Sequence, residues 1–288
     1  MSYTILYNPI AGNGSAKNEI EALATFCGGE PSYVDITSVS SYAEFFATFG
    51  ADDAILLCGG DGTLNRFIND TEGLEIPCEI YYHALGSGND FLRDVGRTVN
   101  DGPFSVKEYI RDLPTVEVKG KTYRFLNNVG FGIDGYCCEV GDSLRGKSDK
   151  PVNYTAIAIK GLLFHYKPCD ATITVDGKEY RFQKVWLAPT MKGRYYGGGM
   201  MATPAQDRKD PEGELSVLLF HGSGRLQTLM AFPSIFKGEH IKHEKIVTIL
   251  TGKTVHVKFD HPAAVQIDGE TILGVTEYTA TAKVEAKV

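Results

Sequence analysis

The run Leu56-Leu57-Cys58-Gly59-Gly60-Asp61-Gly62-Thr63-Leu64-Asn65 constrains this chain more than any other feature. A short apolar stretch at 54–57 runs into three glycines within four positions, and a helical pattern at 63–69 follows. Short apolar runs that end in glycine read as buried parallel strands. Glycine lacks a Cβ and accepts positive φ, so successive backbone N–H groups can turn toward one anion. The positive end of the following helix adds to that attraction. Asp61 stands where a carboxylate either faces magnesium or holds the loop, and Thr63 offers a hydroxyl to a phosphate oxygen. The plain alternative is a glycine turn that only packs tightly behind its strand.

Two more loops have this form. Asn8-Pro9-Ile10-Ala11-Gly12-Asn13-Gly14-Ser15-Ala16-Lys17 follows an apolar run at 3–7, and Leu85-Gly86-Ser87-Gly88-Asn89-Asp90-Phe91 follows one at 79–85. Either alone reads as well as an ordinary βα turn. A parallel sheet, however, brings such strand ends to one edge, where ligands bind. The Walker A spacing Gly-x-x-x-x-Gly-Lys-Ser/Thr is absent.

Strands at 3–7, 33–36, 54–57 and 79–85 alternate with helices from a Ser15 cap to 26, at 42–49, at 63–69, and at 90–95 behind an Asn89 cap. That rhythm predicts an α/β domain with a mostly parallel sheet. Beyond Leu113-Pro114, polar and apolar residues alternate at 115–118, 122–129, 171–175, 180–188, 215–220, 246–250, 255–259, 265–267 and 278–284. This predicts a β-rich, antiparallel sandwich, interrupted by helices at 135–145, 153–166 and 225–237. Asp176-Gly177 and Thr251-Gly252-Lys253 read as hairpin turns. The boundary falls within 113–122. We take 1–117 as the first domain and 118–288 as the second, with the last strand returning toward the first.

Composition sets outer limits. The chain has 288 residues, 43% of them hydrophobic, which is enough for two cores. A net charge of -7 argues against nucleic acid as a partner, while a local basic patch on anionic lipid stays open. Cysteines at 27, 58, 78, 137, 138 and 169 form no Cys-x-x-Cys pair, and the seven histidines show no metal spacing. Met1-Ser2-Tyr3-Thr4 opens no secretory signal, so reduced thiols and a cytoplasmic location are expected. No apolar run approaches the roughly 20 residues that span a bilayer. The stretch 154–166 reads as core, or as the lining of a lipid tunnel.

In this order the motifs resemble the diacylglycerol kinase catalytic-domain family, which includes bacterial lipid kinases and the sphingosine and ceramide kinases. The resemblance is carried by Asn8-Pro9 with Gly12, Gly59-Gly60-Asp61-Gly62-Thr63, Gly86-Ser87-Gly88-Asn89-Asp90, Gly130-Phe131-Gly132-Ile133-Asp134 and Asp268-Gly269-Glu270. It runs from residue 3 to about 275. It implies a nucleotide-binding first domain, a lipid-holding second domain, and ATP and Mg2+ as cofactors. The implied activity is phosphorylation of a lipid hydroxyl, diacylglycerol by default, in phospholipid biosynthesis at a membrane surface visited transiently. A homodimer stays open.

By the same resemblance Asn8, Gly12, Lys17, Gly59, Gly60, Gly62, Thr63, Ser87 and Asn89 are expected at the nucleotide. Asp61, Asp90 and Glu212 are expected at metal, and Asp134 and Glu270 near the substrate. Asp61 and Asp268 are the expected catalytic residues, Asp268 as acceptor of the hydroxyl proton. Bottom-up, an acid beside glycine at a strand end is exposed enough to work and anchored enough to aim. Phosphoryl transfer needs positioning and charge neutralisation more than covalent chemistry. An aspartate, with a pKa of about 3.9, would accept the proton only as the hydroxyl commits. Spacing alone favours a hairpin turn at Asp268-Gly269.

Several features stand apart. Gly130-x-Gly132-x-x-Gly135 matches a dinucleotide fingerprint but lies in the β-rich half, where backbone packing or cleft contacts explain it better. Gly193 to Met201 reads as a mobile loop or as a cleft loop facing an acyl chain. Asn13 occupies a position where some family members carry a basic residue, with Lys17 as its substitute. Pro211-Glu212-Gly213-Glu214-Leu215-Ser216 departs from the family's Asp-Asp-Gly-x-Leu-Asp. Two alternatives remain: an NAD kinase or phosphofructokinase-like enzyme, and an inactive lipid-binding homologue.

Overall fold

Tyr7, Gly59 and Ala84 end three parallel strands at one level of a five-stranded sheet. The computed structural model of the chain describes residues 2–9, 11, 20–85, 89–145 and 152–283. It divides into two units, Met1–Leu113 and Pro114–Val288.

The first unit holds β1 (Ser2–Tyr7), β2 (Ser32–Asp35), β3 (Asp53–Gly59), β4 (Glu79–Ala84) and β5 (Phe104–Ser105), in the order β2-β1-β3-β4-β5. The first four are parallel, and β5 runs antiparallel to β4. Leu56 and Cys58 of the central strand pack with Ile5, Ile20 and Leu23. Strand alternation turns Ile55 and Leu57 to the opposite face, where they are equally buried. The helices are α1 (Ala24–Cys27), α2 (Tyr42–Phe46), α3 (Asp61–Asp70), α4 (Asp90–Asp94) and α5 (Lys107–Arg111). Ser15, the expected cap of the first helix, lies outside the described residues. α3 starts two residues earlier than periodicity suggests, because Gly60 is its N-cap.

The second unit is antiparallel and β-rich. Its strands are β6 (Thr115–Val118), β7 (Lys121–Arg124), β8 (Asn128–Gly132), β9 (Cys169–Val175), β10 (Lys178–Val185), β11 (Leu187–Met191), β12 (Tyr195–Tyr196), β13 (Met200–Met201), β14 (Leu215–Phe220), β15 (Val247–Gly252), β16 (Thr254–Ile267) and β17 (Glu270–Thr281). The main path runs β15-β14-β11-β8-β16-β17-β6-β7, and β9 joins β10 to β16. β16 pairs with β9 over Val255–Phe259 and with β8 over Val265–Ile267, so one strand changes neighbours across a bulge. Phe131 of β8 stacks on Phe259 of β16 at 4.3 Å between ring centroids, inside the unit's main core.

Four expectations need correction. The strand expected at 122–129 is two, because the N–H groups of Leu126, Asn127 and Asn128 turn to the Asp268 carboxylate. The strand expected at 180–188 breaks near Lys184, whose φ is 52° and beside which the register shifts. The strands at 255–259 and 265–267 are one, since Pro262 sits in the bulge, where a missing N–H costs no ladder bond. Thr251-Gly252-Lys253 is no hairpin turn. It joins β15 to β16, which do not pair, and Asp176 accepts the N–H groups of Lys253 and Thr254 there.

α6 (Ile133–Arg145) follows β8 directly. α7 (Tyr154–Lys160) continues into a π turn at Gly161–His165, and α8 (Arg225–Ala231) into a 3-10 turn at Phe232–Lys237 carrying Pro233 in its first turn. Gly193 to Met201 forms the β12–β13 hairpin around three glycines of positive φ, with Tyr196 and Met200 packed in a second core.

A Cβ on Gly135 would run into the carbonyl oxygen of Ala264, so this glycine sets how closely α6 approaches β16. Gly135→Ala should therefore lower the stability of the second unit by about 1–3 kcal/mol, despite alanine's better helix propensity. Chemical denaturation checks this; an unchanged midpoint would mean that α6 shifts freely.

Candidate active site

Parallel pairing carries three loops to one sheet edge. Asn8 follows β1, Gly60 to Thr63 follow β3, Leu85 follows β4, and Asn89 stands at the start of α4. The Asn8 N–H donates to the Cys58 carbonyl at 3.1 Å, and the Leu85 N–H donates to the Gly59 carbonyl at 2.9 Å. β1 and β3 are adjacent while β2 and β4 lie to their outer sides, which makes their C-terminal ends a topological switch point. Asn8 Nδ2 bridges it, donating to Thr63 Oγ1 at 3.0 Å.

Each glycine of the central loop has its own reason. A Cβ on Gly59 would lie 2.5 Å from the Thr63 side chain, and one on Gly60 would lie 3.5 Å from the Leu85 carbonyl. A Cβ on Gly62 would meet nothing within 4 Å among the described residues, so packing against them does not explain that residue. Gly60 makes no side-chain cap bond to α3, whose positive end therefore opens at the loop.

The second and third loops are joined by Asp61. Its Oδ2 accepts the N–H groups of Asp90 at 2.8 Å and Phe91 at 3.2 Å, the first turn of α4. The expected cap, Asn89, stands at the N-cap position, but its side chain makes no cap bond. Tyr82 donates to the Gly59 carbonyl at 3.0 Å. Burial, and then the charge of Asp61, hold its phenol well above the ordinary range, so it remains a donor. Asp61 thus ties the loop after β3 to the backbone at the start of α4, where Asp90 is the first residue. Gly12, Lys17 and Ser87 lie outside the described residues.

In the second unit Asp268 and Gly269 form the two-residue turn between β16 and β17, with φ of 46° and 95°. The hairpin alternative is therefore correct as local geometry, yet the carboxylate does more. Oδ2 accepts the Leu126 N–H at 2.5 Å, and Oδ1 accepts those of Asn127 at 2.7 Å and Asn128 at 2.9 Å. The Asp268 N–H donates back to the Asn128 carbonyl at 2.9 Å. Arg208 closes the other side, donating to the Leu126 carbonyl at 2.5 Å and to Asn127 Oδ1 at 2.7 Å. The amide nitrogen of the Asn128 side chain is buried with no hydrogen-bond partner among the described residues. Arg208, Asn127 and Asn128 carry no sequence signal; only the fold collects them.

Asp134, the second residue of α6, is almost fully buried. A Cβ on Gly130 would lie 2.7 Å from Asp134 Oδ2, so this glycine makes room for the carboxyl group. Gly132, with φ of 117°, would likewise press on Leu187 and Trp186 if it bore a Cβ. β8 is antiparallel to both neighbours, so the fingerprint glycines serve packing rather than a dinucleotide turn. Oδ1 accepts the Gly135 N–H at 2.9 Å, and Gln266 Nε2 donates to Oδ2 at 3.4 Å. Gln266 Oε1 accepts the Gly269 N–H at 2.8 Å, which links Asp134 to the Asp268 turn. Burial pushes the Asp134 carboxyl up to about 7, against which the two hydrogen bonds act only partly.

Glu270 begins β17 and is exposed. Glu212, expected at metal, pairs with Lys253 Nζ at 2.6 Å. One other set among the described residues converges. Cys169 Sγ lies 3.0 Å from His261 Nε2, and His261 Nδ1 lies 2.7 Å from Asp260 Oδ1. Burial pushes the thiol up to about 11, which keeps its proton in place.

Residues 2–115 match the Diacylglycerol kinase catalytic domain, and residues 127–285 match the YegS C-terminal NAD kinase beta sandwich-like domain. The Diacylglycerol kinase of Mycobacterium tuberculosis (strain ATCC 25618 / H37Rv) is 27% identical over 268 residues, 88% of this chain and 84% of that protein. Two solved structures from Bacillus anthracis strain Sterne share the fold. One has a TM-score of 0.67 at 20% identity, covering 100% of this chain and 96% of that one. The other, described as a diacylglycerol kinase, has a TM-score of 0.61 at 19% identity, covering 98% and 94%.

The Asp134 carboxyl moves from an ordinary 3.8 in the unfolded chain to about 7 in the folded one. Between those values the folded protein holds a proton that the unfolded chain has lost, so this group makes stability fall as pH rises through that window and then level off. Asp134→Asn cannot ionise and should remove the decline. The variant's stability relative to the parent should grow from about pH 4 to about pH 7, by up to roughly 4 kcal/mol. Denaturation curves across that range check it, and parallel curves for the two proteins would show that the carboxyl is not held neutral.

Proposed function

Because the chain belongs to the diacylglycerol kinase catalytic-domain family, we propose that it transfers the terminal phosphoryl group of ATP to the hydroxyl of a lipid, with diacylglycerol as the default acceptor. The observation that carries this reading is the linkage of three sheet-edge loops: Asn8 to Thr63, and Asp61 to the first turn of α4. That linkage gathers backbone donors, two hydroxyl or amide side chains and two carboxyl groups in one place. The set suits a triphosphate with its divalent cation and little else.

In this reading the N–H groups from Gly60 to Gly62 and the positive end of α3 receive phosphate oxygens. Asn8, Thr63, Asn89 and Ser87 orient the nucleotide, with Gly12 and Lys17 of the first loop. Asp61 and Asp90 would hold Mg2+, which neutralises phosphate charge when bound. Asp61 also fixes α4, so it positions the site as well as charging it.

The second unit holds the acceptor. The lipid oxygen forms a bond to the terminal phosphorus as the bond from that phosphorus to the bridging oxygen of ATP breaks, and the hydroxyl proton passes to the Asp268 carboxylate. Three backbone donors hold that carboxylate in one orientation. Asp134 and Glu270 flank the acceptor, and the buried Asn128 amide is a donor suited to an ester or hydroxyl oxygen.

Labelled ATP should mark diacylglycerol, a sphingoid base, a polyprenol or phosphatidylglycerol in the organic extract. Label on NAD alone would replace this reading with a small-molecule kinase, and lipid binding without turnover would make the chain an inactive homologue. Asp268→Asn should keep ATP affinity and lower turnover by about 10²- to 10⁴-fold; unchanged turnover removes Asp268 from the chemistry.

Gly62→Ala separates fold from ligand. The new methyl meets no atom of the described residues within 4 Å and sits in a helix, where alanine is better than glycine by up to about 1 kcal/mol. Thermal stability should hold or rise, while ATP binding, read by fluorescent-nucleotide titration, weakens at least about 10-fold from crowding of the phosphates. Equal affinity in both proteins would move the nucleotide away from this loop.

A further inference from the structure

The helical layer of the second unit has its polarity reversed. α8 buries Thr228 and Ala231 and exposes Leu226 at 67% and Met230 at 69%. Residues four apart share one helix face, so the two apolar side chains form a stripe toward solvent. The buried hydroxyl is satisfied: Thr228 Oγ1 lies 2.6 Å from Ser223 Oγ and donates to the Gly224 carbonyl at 3.1 Å. The adjoining π turn exposes Phe164 at 71%, the most exposed large apolar side chain among the described residues. Arg225 Nη1 donates to the Leu162 carbonyl at 2.8 Å, which fastens the start of α8 to that turn. Exposed Ile159, Phe236 and Ile241 extend the surface over α7 and the turns that follow α8. Single exposed apolar residues need no explanation, but six on two segments fastened together do.

Charge identifies what the face meets. The chain as a whole carries -7, yet segments 152–168 and 222–245 hold Lys160, Lys167, Arg225, Lys237, Lys242 and Lys245 against only Glu239 and Glu244. Lys242 pairs with Glu239 at 3.0 Å and Arg225 is held at the Leu162 carbonyl, which leaves Lys160, Lys167, Lys237 and Lys245 as the other lysines of these segments. Lysines in the segments that carry an apolar stripe are complementary to an anionic bilayer, because their stems can lie along the acyl boundary while their ammonium groups reach phosphate. No described helix is long and apolar enough to cross a membrane, so contact of this kind is surface contact.

We propose that this helical layer docks on anionic phospholipid bilayers by inserting Phe164, Leu226 and Met230 at the headgroup boundary. The use of such a face, delivery of the chain to an acceptor held in a membrane, rests on the lipid-kinase reading; its binding chemistry does not.

The test uses the full chain and co-sedimentation with extruded vesicles of phosphatidylcholine mixed with phosphatidylglycerol, or of phosphatidylcholine alone. The parent should bind the mixed vesicles, bind phosphatidylcholine alone more weakly, and release as salt rises. The triple variant Phe164→Ser, Leu226→Ser, Met230→Ser should bind at least about 100-fold more weakly. Lys160→Gln with Lys237→Gln should bind more weakly by about 10-fold. All five side chains are exposed, so melting temperatures should match the parent, and a variant that melts early is replaced by single substitutions. Activity on a short-chain, water-dispersed diacylglycerol should survive in the triple variant, while activity on vesicle-borne diacylglycerol falls. The proposal is overturned if the parent stays in the supernatant, if the triple variant sediments like it, or if the face proves to be a dimer contact that the triple variant breaks. Absence of lipid phosphorylation in either format, with face-dependent vesicle binding intact, would refute the kinase reading and leave the docking face standing.

Discussion

The two hydrogen bonds from Asp61 Oδ2 to the N–H groups of Asp90 and Phe91 are what make the first unit's loops a site. Without them, the turns after β3 and β4 are neighbours only through strand pairing. With them, a loop at residue 61 sets the start of a helix 29 residues later. A carboxylate is the right group for this, because it satisfies orphan donors at a helix start and complements the dipole there. The arrangement also requires Gly59, since any side chain there would press on Thr63, whose hydroxyl receives the Asn8 amide. Cap, glycine and cross-loop bond are one coupled unit.

The second unit uses the same device. Asp268 takes three N–H groups at the start of β8, and Asp176 takes those of Lys253 and Thr254 at the start of β16. In each case a carboxylate at a tight turn replaces ladder partners that another strand would have supplied. An amide would serve poorly at Asp268: one of its two polar atoms is a donor and would face another donor. Selection of aspartate at that position therefore has an anchoring cause that exists whether or not the residue moves a proton. Removing the side chain, or converting it to the amide, would loosen Leu126 to Asn128 along with any chemistry, so a loss of turnover alone does not separate the two roles.

The sequence shows what depends on neighbours along the chain. Apolar runs ending in glycine give the parallel strands, and polar–apolar alternation gives the antiparallel half. Contacts across long separations leave no such trace. Nothing near Asn89 says that Asp61 caps α4 in its place. The apolar character of 122–129 hides a break made by Asp268, and Pro262 suggests a break in β16 where a bulge absorbs it. Cys169 and His261, 92 residues apart, meet only in the folded state. Gly130, Gly132 and Gly135 look like a nucleotide fingerprint because close packing and phosphate approach both demand the absence of a Cβ.

Local conflicts with the rules for a water-soluble fold concentrate in the second unit. Asp134 is an acid in a site that resists its charge, and α8 turns its apolar stripe outward while burying a threonine. Neither helps the isolated fold: an ionised Asp134 would be costly, and Leu226 and Met230 leave apolar area in water. Conflicts of this kind persist where a bound state repays them. For Asp134 that state would offer a polar acceptor able to use its proton or its charge, and for α8 an apolar phase bordered by anions. Under the proposed function, a hydroxyl-bearing lipid in an anionic bilayer would supply both from a single partner, and the buried acid and the inverted helix would then answer one requirement.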